Sequence, residues 1–408
     1  MAELTKFGHM YHHGLPMETR TGRSTFRDNL RALPAPAWIL FGGTFVNRFG
    51  TFVVPFLVIY LTRRGYTVGD AGLAIAAYGA GHLCASLLGG HLADRIGRRN
   101  TIVLSMFAAG TSMLALSQAS GLTAILPLTW FAGLSGELYR PAATALIGDL
   151  VPAGKRVAAF GMYRFAINLG FAAGPATAGF LAGHSFFYLF LGDALTSFAY
   201  GIIALLALPH GLRSDPTRER FGEAFVAASR DRAFVIFLFA SVCITSVDFQ
   251  MGSTFALHVK AQGLSNATYG MLISMNGVLI VLFELIITAW TQRFPVRSMI
   301  ALGYALAGLG FALTGLAHNV PALAATVVIW TLGEMVSSPV TGAYVSGLAP
   351  EQYRGRYMGM WVLTWSLGMI LGPTIGTRVY ANNPNLVWIG CGVLGLIGAV
   401  LSLMNPRK

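Results

Sequence analysis

Apolar runs of about 20 residues recur along this chain from one end to the other, and that recurrence leaves it few possible folds. Segments of this length match the thickness of a bilayer as helices and far exceed a membrane strand of about 9–11 residues. In hydrocarbon every backbone N–H and C=O must find a partner within the protein, which a helix does by itself. Twelve spans can be read. The first six are Trp38–Thr62, Gly69–Leu88, Thr101–Gln118, Thr123–Ile147, Val157–Ala182 and Phe186–Leu208. The second six are Phe234–Leu257, Thr268–Trp290, Met299–Ala317, Ala322–Val345, Gly355–Arg378 and Asn385–Met404. Only 11% of the 408 residues are charged, against roughly a quarter in a soluble domain. An all-α, multi-pass membrane protein is the expected class.

The formal net charge of +12 could suggest nucleic-acid binding, but the distribution of bases points elsewhere. Twenty-one lysines and arginines fall on one side of the twelve spans, including the N-terminal tail, the loop at Arg95–Arg99 and the central linker. Only Arg63, Arg64, Lys260 and Arg378 fall on the other. Both termini and the linker are therefore expected in the cytoplasm, in a cell (inner) membrane. Cys84, Cys243 and Cys391 lie far apart inside apolar runs, as small buried hydrophobes with neither metal spacing nor a disulfide pattern. The first apolar run starts behind a polar tail, so no cleavable signal peptide is expected. Part of that tail (26–33) and the stretch 218–232 of the linker could form interfacial helices.

The two halves of the chain repeat. Pro141 and Pro339 stand 198 residues apart, as do Pro152 and Pro350, Arg156 and Arg354, Gly161 and Gly359, and Arg95 and Arg293. The pairs Gly174-Pro175 and Gly372-Pro373 keep the same offset. The expected organisation is a tail (1–37), a six-helix bundle (38–208), a linker (209–233) and a second bundle (234–408). Duplicated bundles related along the membrane normal place a substrate site between them near the midplane and let them rock about it.

Charges inside the spans are costly unless paired or wet, which makes them functional candidates. Glu137, Glu334, Asp248 and Glu284 are the carboxylates that could load and release a proton. Glu137 and Glu334 rank first by depth. Arg48, Arg140 and Arg164 could bind a substrate. Glu137 and Arg140, three apart on one helix face, could instead neutralise each other in a structural ion-pair network. Asn47, Tyr139, Tyr163, Asn168, Gln250, Asn276, Trp361 and Trp365 would complete a polar and aromatic cavity lining. There is no Gly-x-Ser-x-Gly, no Walker loop and no His pair at metal spacing in the spans, so neither an enzyme nor an ATP-driven pump is expected. No cofactor or metal is called for. The expected partners are a small molecule, protons and the bilayer, with no nucleic acid, and the chain is expected to act as a monomer.

Two local patterns carry a family resemblance. Gly90–Arg99 reads Gly-His-Leu-Ala-Asp-Arg-Ile-Gly-Arg-Arg, with Gly90, Asp94, Arg95, Gly97, Arg98 and Arg99 between two apolar spans. Gly90 and Gly97 suit a turn and close helix contact. Asp149, at the end of the fourth span, could pair with these arginines as a gate. The loop resembles the signature between the second and third helices of the major facilitator superfamily, which implies twelve helices in two pseudo-symmetric bundles. Gly170-Phe-Ala-Ala-Gly174-Pro175 on the fifth span, matched by Gly368-Met-Ile-Leu-Gly372-Pro373 on the eleventh, favours tight helix packing. The first resembles the motif of that superfamily's drug:proton antiporters, and implies proton-driven export of amphipathic molecules. Two positions depart from the antiporter pattern: Ala178 replaces a glycine, and Thr129 stands where an arginine is usual. Asn47-Arg48-Phe49 resembles the first helix of proton-coupled oligopeptide transporters, with Asn47 and Thr44 in place of its two glutamates. Uptake of peptides or other carboxylate-bearing metabolites therefore stands beside export, and a non-transporting membrane sensor stands behind both.

Overall fold

The structure, a computed structural model, describes residues 30–152, 155–211, 227–350 and 353–404. Residues 1–29 of the tail, most of the linker with Arg213, Arg218 and Arg220, and the final basic residues lie outside that range. All regular structure among the described residues is helical. In the first half the helices are α1 (Ala35–Phe49), α2 (Val53–Arg63), α3 (Val68–Ile96), α4 (Arg98–Gln118), α5 (Leu122–Glu137), α6 (Tyr139–Leu150), α7 (Arg156–His184) and α8 (Phe187–Ala207). The second half holds α9 (Arg232–Asp248), α10 (Thr254–Ala261), α11 (Asn266–Thr291), α12 (Val296–Thr314), α13 (Val320–Leu348), α14 (Arg354–Asn382) and α15 (Pro384–Leu403).

These fifteen helices make twelve spans because three spans are broken. The first divides at Gly50–Phe52, the fourth at Leu138 and the seventh at Phe249–Ser253. In the fourth, Pro141 has no N–H to donate to the Glu137 carbonyl one turn back, which opens the ladder there. In the first, the Asp193 carboxylate on α8 accepts the Val53 N–H (3.4 Å) at the start of α2. In the seventh, the Gln250 amide donates to the Gly372 carbonyl on α14 (2.9 Å), and its oxygen accepts the Thr254 hydroxyl (2.8 Å). Ten segments are long and apolar enough to cross a bilayer unaided, the first of them α1 and α2 taken together, whereas the pieces of the fourth and seventh spans are each too short.

Helix starts carry their own signals. Thr67 and Asp70 cap α3 reciprocally, each side chain taking the other's backbone N–H at 3.1 Å. Ser265, Asn319 and Asn383 accept backbone N–H groups at the starts of α11, α13 and α15. The turn expected over Gly90–Arg99 is shorter than its sequence suggests. Helix α3 runs on through Ile96, and the reversal is made by Gly97 alone, at φ +94°.

The repeated glycine motifs make equivalent contacts. Gly170 and Gly174 let α7 lie on the backbone of Arg48 and Phe49 in α1. Gly368 and Gly372 let α14 lie on Thr245 and Ser246 in α9. The halves meet mainly along two helix pairs, α3 with α14 and α7 with α11, with a smaller contact of α2 on α10. Gly72 faces Pro373 and Thr377, and Gly79 faces Met369. Gly179 faces Asn266, Gly270 the Pro175 carbonyl, and Gly277 Ala172. All these contacts lie toward the end that carries the Thr67 and Ser265 caps. At the other end the halves part, and Leu87 and Leu88 of α3 stand exposed.

Gly90 does not pack as expected, since a β-carbon there would meet open space. At Gly133 it would run into the main chain of Tyr78. Gly133→Val should therefore cost about 1–3 kcal/mol or more through overpacking. Gly90→Ala should leave the melting temperature of the purified protein unchanged or slightly higher.

Candidate functional site

A cavity of about 1240 Å³ lies between the halves. It runs from Tyr78 and Tyr269 near the sealed end to Ser86, Leu87, Thr144 and Gly359 at the end where the halves part. The seal is made by the glycine contacts and by the Tyr269 hydroxyl, which reaches the carbonyls of Pro55 (2.8 Å) and Met251 (3.1 Å). The mouth opens on the end that carries the Gly97 turn. There Arg98 pairs with Asp94 (3.0 Å) and Asp149 (3.3 Å), bringing together the expected gate residues. Arg95 points outward and Arg99 lies beside Arg98, its backbone N–H reaching the His210 carbonyl at 3.5 Å.

On the first-half wall the charges form one cluster. Arg48 Nη2 lies 2.9 Å from Glu137 Oε1, and Arg140 Nη1 3.4 Å from Glu137 Oε2. His82 Nε2 is 3.6 Å from the same carboxylate, and its Nδ1 meets the Ser366 hydroxyl of α14 at 2.9 Å. Behind the cluster, Arg48 Nε donates to the Tyr139 hydroxyl (3.0 Å). Glu137 is thus surrounded by bases, and Arg48 is spent on holding it. The structural-network reading of these residues fits this geometry.

The second-half wall differs. Asp248 and Glu334 line the cavity and carry no basic partner within ion-pair distance among the described residues. Glu334 Oε2 accepts one bond from Asn276 Nδ2 (3.1 Å), which also donates to Thr331 (3.0 Å). Glu284 is outside the cavity lining and is paired with Arg164 across the α7–α11 seam. Arg164 also reaches Ser338 of α13 at 3.5 Å.

Several expected lining residues do line the cavity: Arg48, Arg140, Arg164, Asn168, Asn276, Trp361 and Trp365. Others turn away. Asn47 is buried, donating to the Met106 sulfur at 3.4 Å. Tyr139 and Tyr163 are buried behind the wall, and Gln250 is occupied in bracing the seventh span. Sequence sets depth along a helix but not rotation about it, so these residues lie at the expected level on another face. His82 carries the same signal in the sequence as the acids, a titratable group at depth inside an apolar span.

Comparison with known proteins agrees with this architecture. The chain is 27% identical over 382 residues to the multidrug resistance protein MdtH of Aeromonas salmonicida (strain A449), covering 92% of this chain and 95% of that one. It is 24% identical over 388 residues to a Na(+), Li(+), K(+)/H(+) antiporter of Planococcus maritimus, covering 86% and 89%. A crystal structure of a POT family transporter in complex with 5-aminolevulinic acid superposes with a TM-score of 0.75 at 18% identity, covering 91% of this chain and 95% of that chain, a likeness of fold alone. The sequence pattern described for the major facilitator superfamily matches residues 40–266 and 238–408. With the duplicated bundles, the glycine-packed seams and the Gly97 turn in place, that match makes this chain a member of the Major Facilitator Superfamily.

Proposed function

We propose that the protein is a proton-coupled secondary transporter that exports small amphipathic molecules by alternating access. One observation carries the reading: Asp248 and Glu334 face a large cavity with no base within ion-pair distance among the described residues. Two such carboxylates can hold a proton or a substrate cation, and exchanging one for the other couples their flows. The aromatic wall at Phe249, Trp361 and Trp365 suits the apolar part of such a molecule. The cavity mouth lies on the basic side of the chain, which is the cytoplasmic side of the inner membrane by the distribution of lysine and arginine. Loading from the cytoplasm is the first step of export. The chain carries both walls of the cavity and works as a monomer.

The uptake reading relies on Arg48 gripping a substrate carboxylate, and Arg48 is already held by Glu137 and Tyr139. The test is purified protein in proteoliposomes under an imposed pH gradient, offered a cationic dye, a labelled dipeptide, or potassium. Dye moving against the protons, and stopping when the gradient is collapsed, is the expected result. Dipeptide accumulating with the protons would establish uptake, and exchange of potassium alone would make this a cation antiporter. Ligand binding with no flux of any of the three would leave a sensor.

A further inference from the structure

His82 stands midway along α3 and touches both halves of the molecule. Its Nε2 lies 3.6 Å from Glu137 Oε2 in the first-half cluster. Its Nδ1 lies 2.9 Å from the hydroxyl of Ser366, which is buried on α14 of the second half. One turn toward the sealed end, Gly79 still packs on Met369. One turn toward the mouth, Ser86 lines the cavity. The His82–Ser366 contact is therefore made where the packed seam gives way to open space, and a rocking motion that parts Gly79 from Met369 parts it too. Packing alone does not call for an imidazole here. The repeat offset of 198 pairs His82 with Ile280 of α11, so the other seam carries an apolar side chain at the equivalent place.

The charged groups around His82 are Glu137 from α5, Arg140 from α6 and Arg48 from α1, with Tyr139 of α6 behind them and Tyr78 on α3 itself. The other helices packed on α3 are α2, α4 and α14; they carry no acid, and their bases and tyrosines lie near the helix ends. We propose that His82 is a positioning residue of alternating access, whose proton holds α3 on α14 while the mouth is open. A neutral imidazole has one N–H, so it donates to Glu137 or to Ser366 and not to both. With a second proton both nitrogens donate, one to the carboxylate and one to the Ser366 oxygen. Glu137 draws that proton in, and Arg48 and Arg140 oppose it. The charged form links the halves more strongly, because a hydrogen bond from a charged donor is the stronger one. His82 lines the cavity, so its proton exchanges with the solution at the mouth. Acid on that side then favours the open mouth. The inference rests on the alternating-access part of the proposed function and is independent of the molecule carried.

The test is pulsed electron resonance on full-length protein in lipid nanodiscs, with Cys84, Cys243 and Cys391 replaced by alanine. Spin labels at Thr144→Cys and Gly359→Cys place one reporter on each half at the mouth and resolve open from closed populations. Between about pH 8 and about pH 5.5, the range in which imidazole changes charge, the open-to-closed ratio should rise. The expected rise is about fivefold, the difference between a charged and a neutral hydrogen-bond donor. His82→Asn sets an amide where Nδ1 stands, keeps a bond to Ser366 and does not titrate, so the ratio should stay nearly flat. Ser366→Ala should flatten it as well, and it serves if the first variant does not fold. A pH response that survives either substitution in a folded protein overturns the role of His82 while leaving alternating access standing. So does a wild type whose distances answer to a cationic dye and not to pH. One distance at every pH, with and without dye, would show that the bundles do not rock, and the alternating-access reading would fail together with this one.

Discussion

Glu334→Gln is expected to end pH-driven accumulation of substrate while leaving substrate counterflow in place. The amide keeps the size of the side chain and an oxygen to accept from Asn276 (3.1 Å), so the wall stays intact. What is lost is the ability to carry a charge or a proton. One proton exchanged for one monovalent cation sustains about a tenfold concentration ratio for each unit of pH gradient. In the variant that ratio should fall to about one. Asp248 faces the same space with no base within ion-pair distance among the described residues, so Asp248→Asn should weaken coupling as well. Proteoliposomes loaded with labelled substrate report both quantities, accumulation under a gradient and exchange without one. Full accumulation in both variants would move proton coupling away from this wall.

Arg48→Ala should have the largest effect on stability. Removing the guanidinium strips Glu137 of its closest partner, 2.9 Å away, in a side chain only 7% exposed. Breaking a buried ion pair from one side costs about 3–5 kcal/mol, because the remaining charge stays buried. Arg140 at 3.4 Å compensates only in part, being itself 45% exposed. Replacing both partners by apolar residues of similar size removes the buried charge altogether. The double variant Arg48→Met/Glu137→Met should therefore recover most of the loss, which thermal unfolding in detergent can measure. Losses that simply add would show that the two groups do not act as a pair.

Much of the fold was legible in the sequence because bilayer physics is strict. Length and hydropathy located the spans, and the repeat offset found the glycine motifs that α7 and α14 use in the same way. The helix breaks were less visible. Pro141 announces one, but those near Gly50 and Gln250 are stabilised by Asp193 and by the backbone of Gly372, which come from distant segments. At the site, the sequence identified the charged residues and not their pairing. Glu137 and Glu334 stand at matching depths, yet Arg48 crosses to Glu137 while no base among the described residues comes within ion-pair distance of Glu334. Spans apolar on all sides carry no stripe to fix their rotation, so Asn47, Tyr139, Tyr163 and Gln250 could not be told from true wall residues.

Alternating access requires two bundles that separate at one end of the cavity when they close at the other. Gly69 of α3 and Arg378 of α14 face each other across the sealed end, where a β-carbon on Gly69 would lie 3.9 Å from the Arg378 side chain without a clash. With Cys84, Cys243 and Cys391 replaced by alanine, the pair Gly69→Cys/Arg378→Cys can be joined by an oxidant and released by a reductant. Transport of a cationic dye should stop when the disulfide forms and resume when it is reduced. Transport at full rate through the oxidised protein would contradict the account.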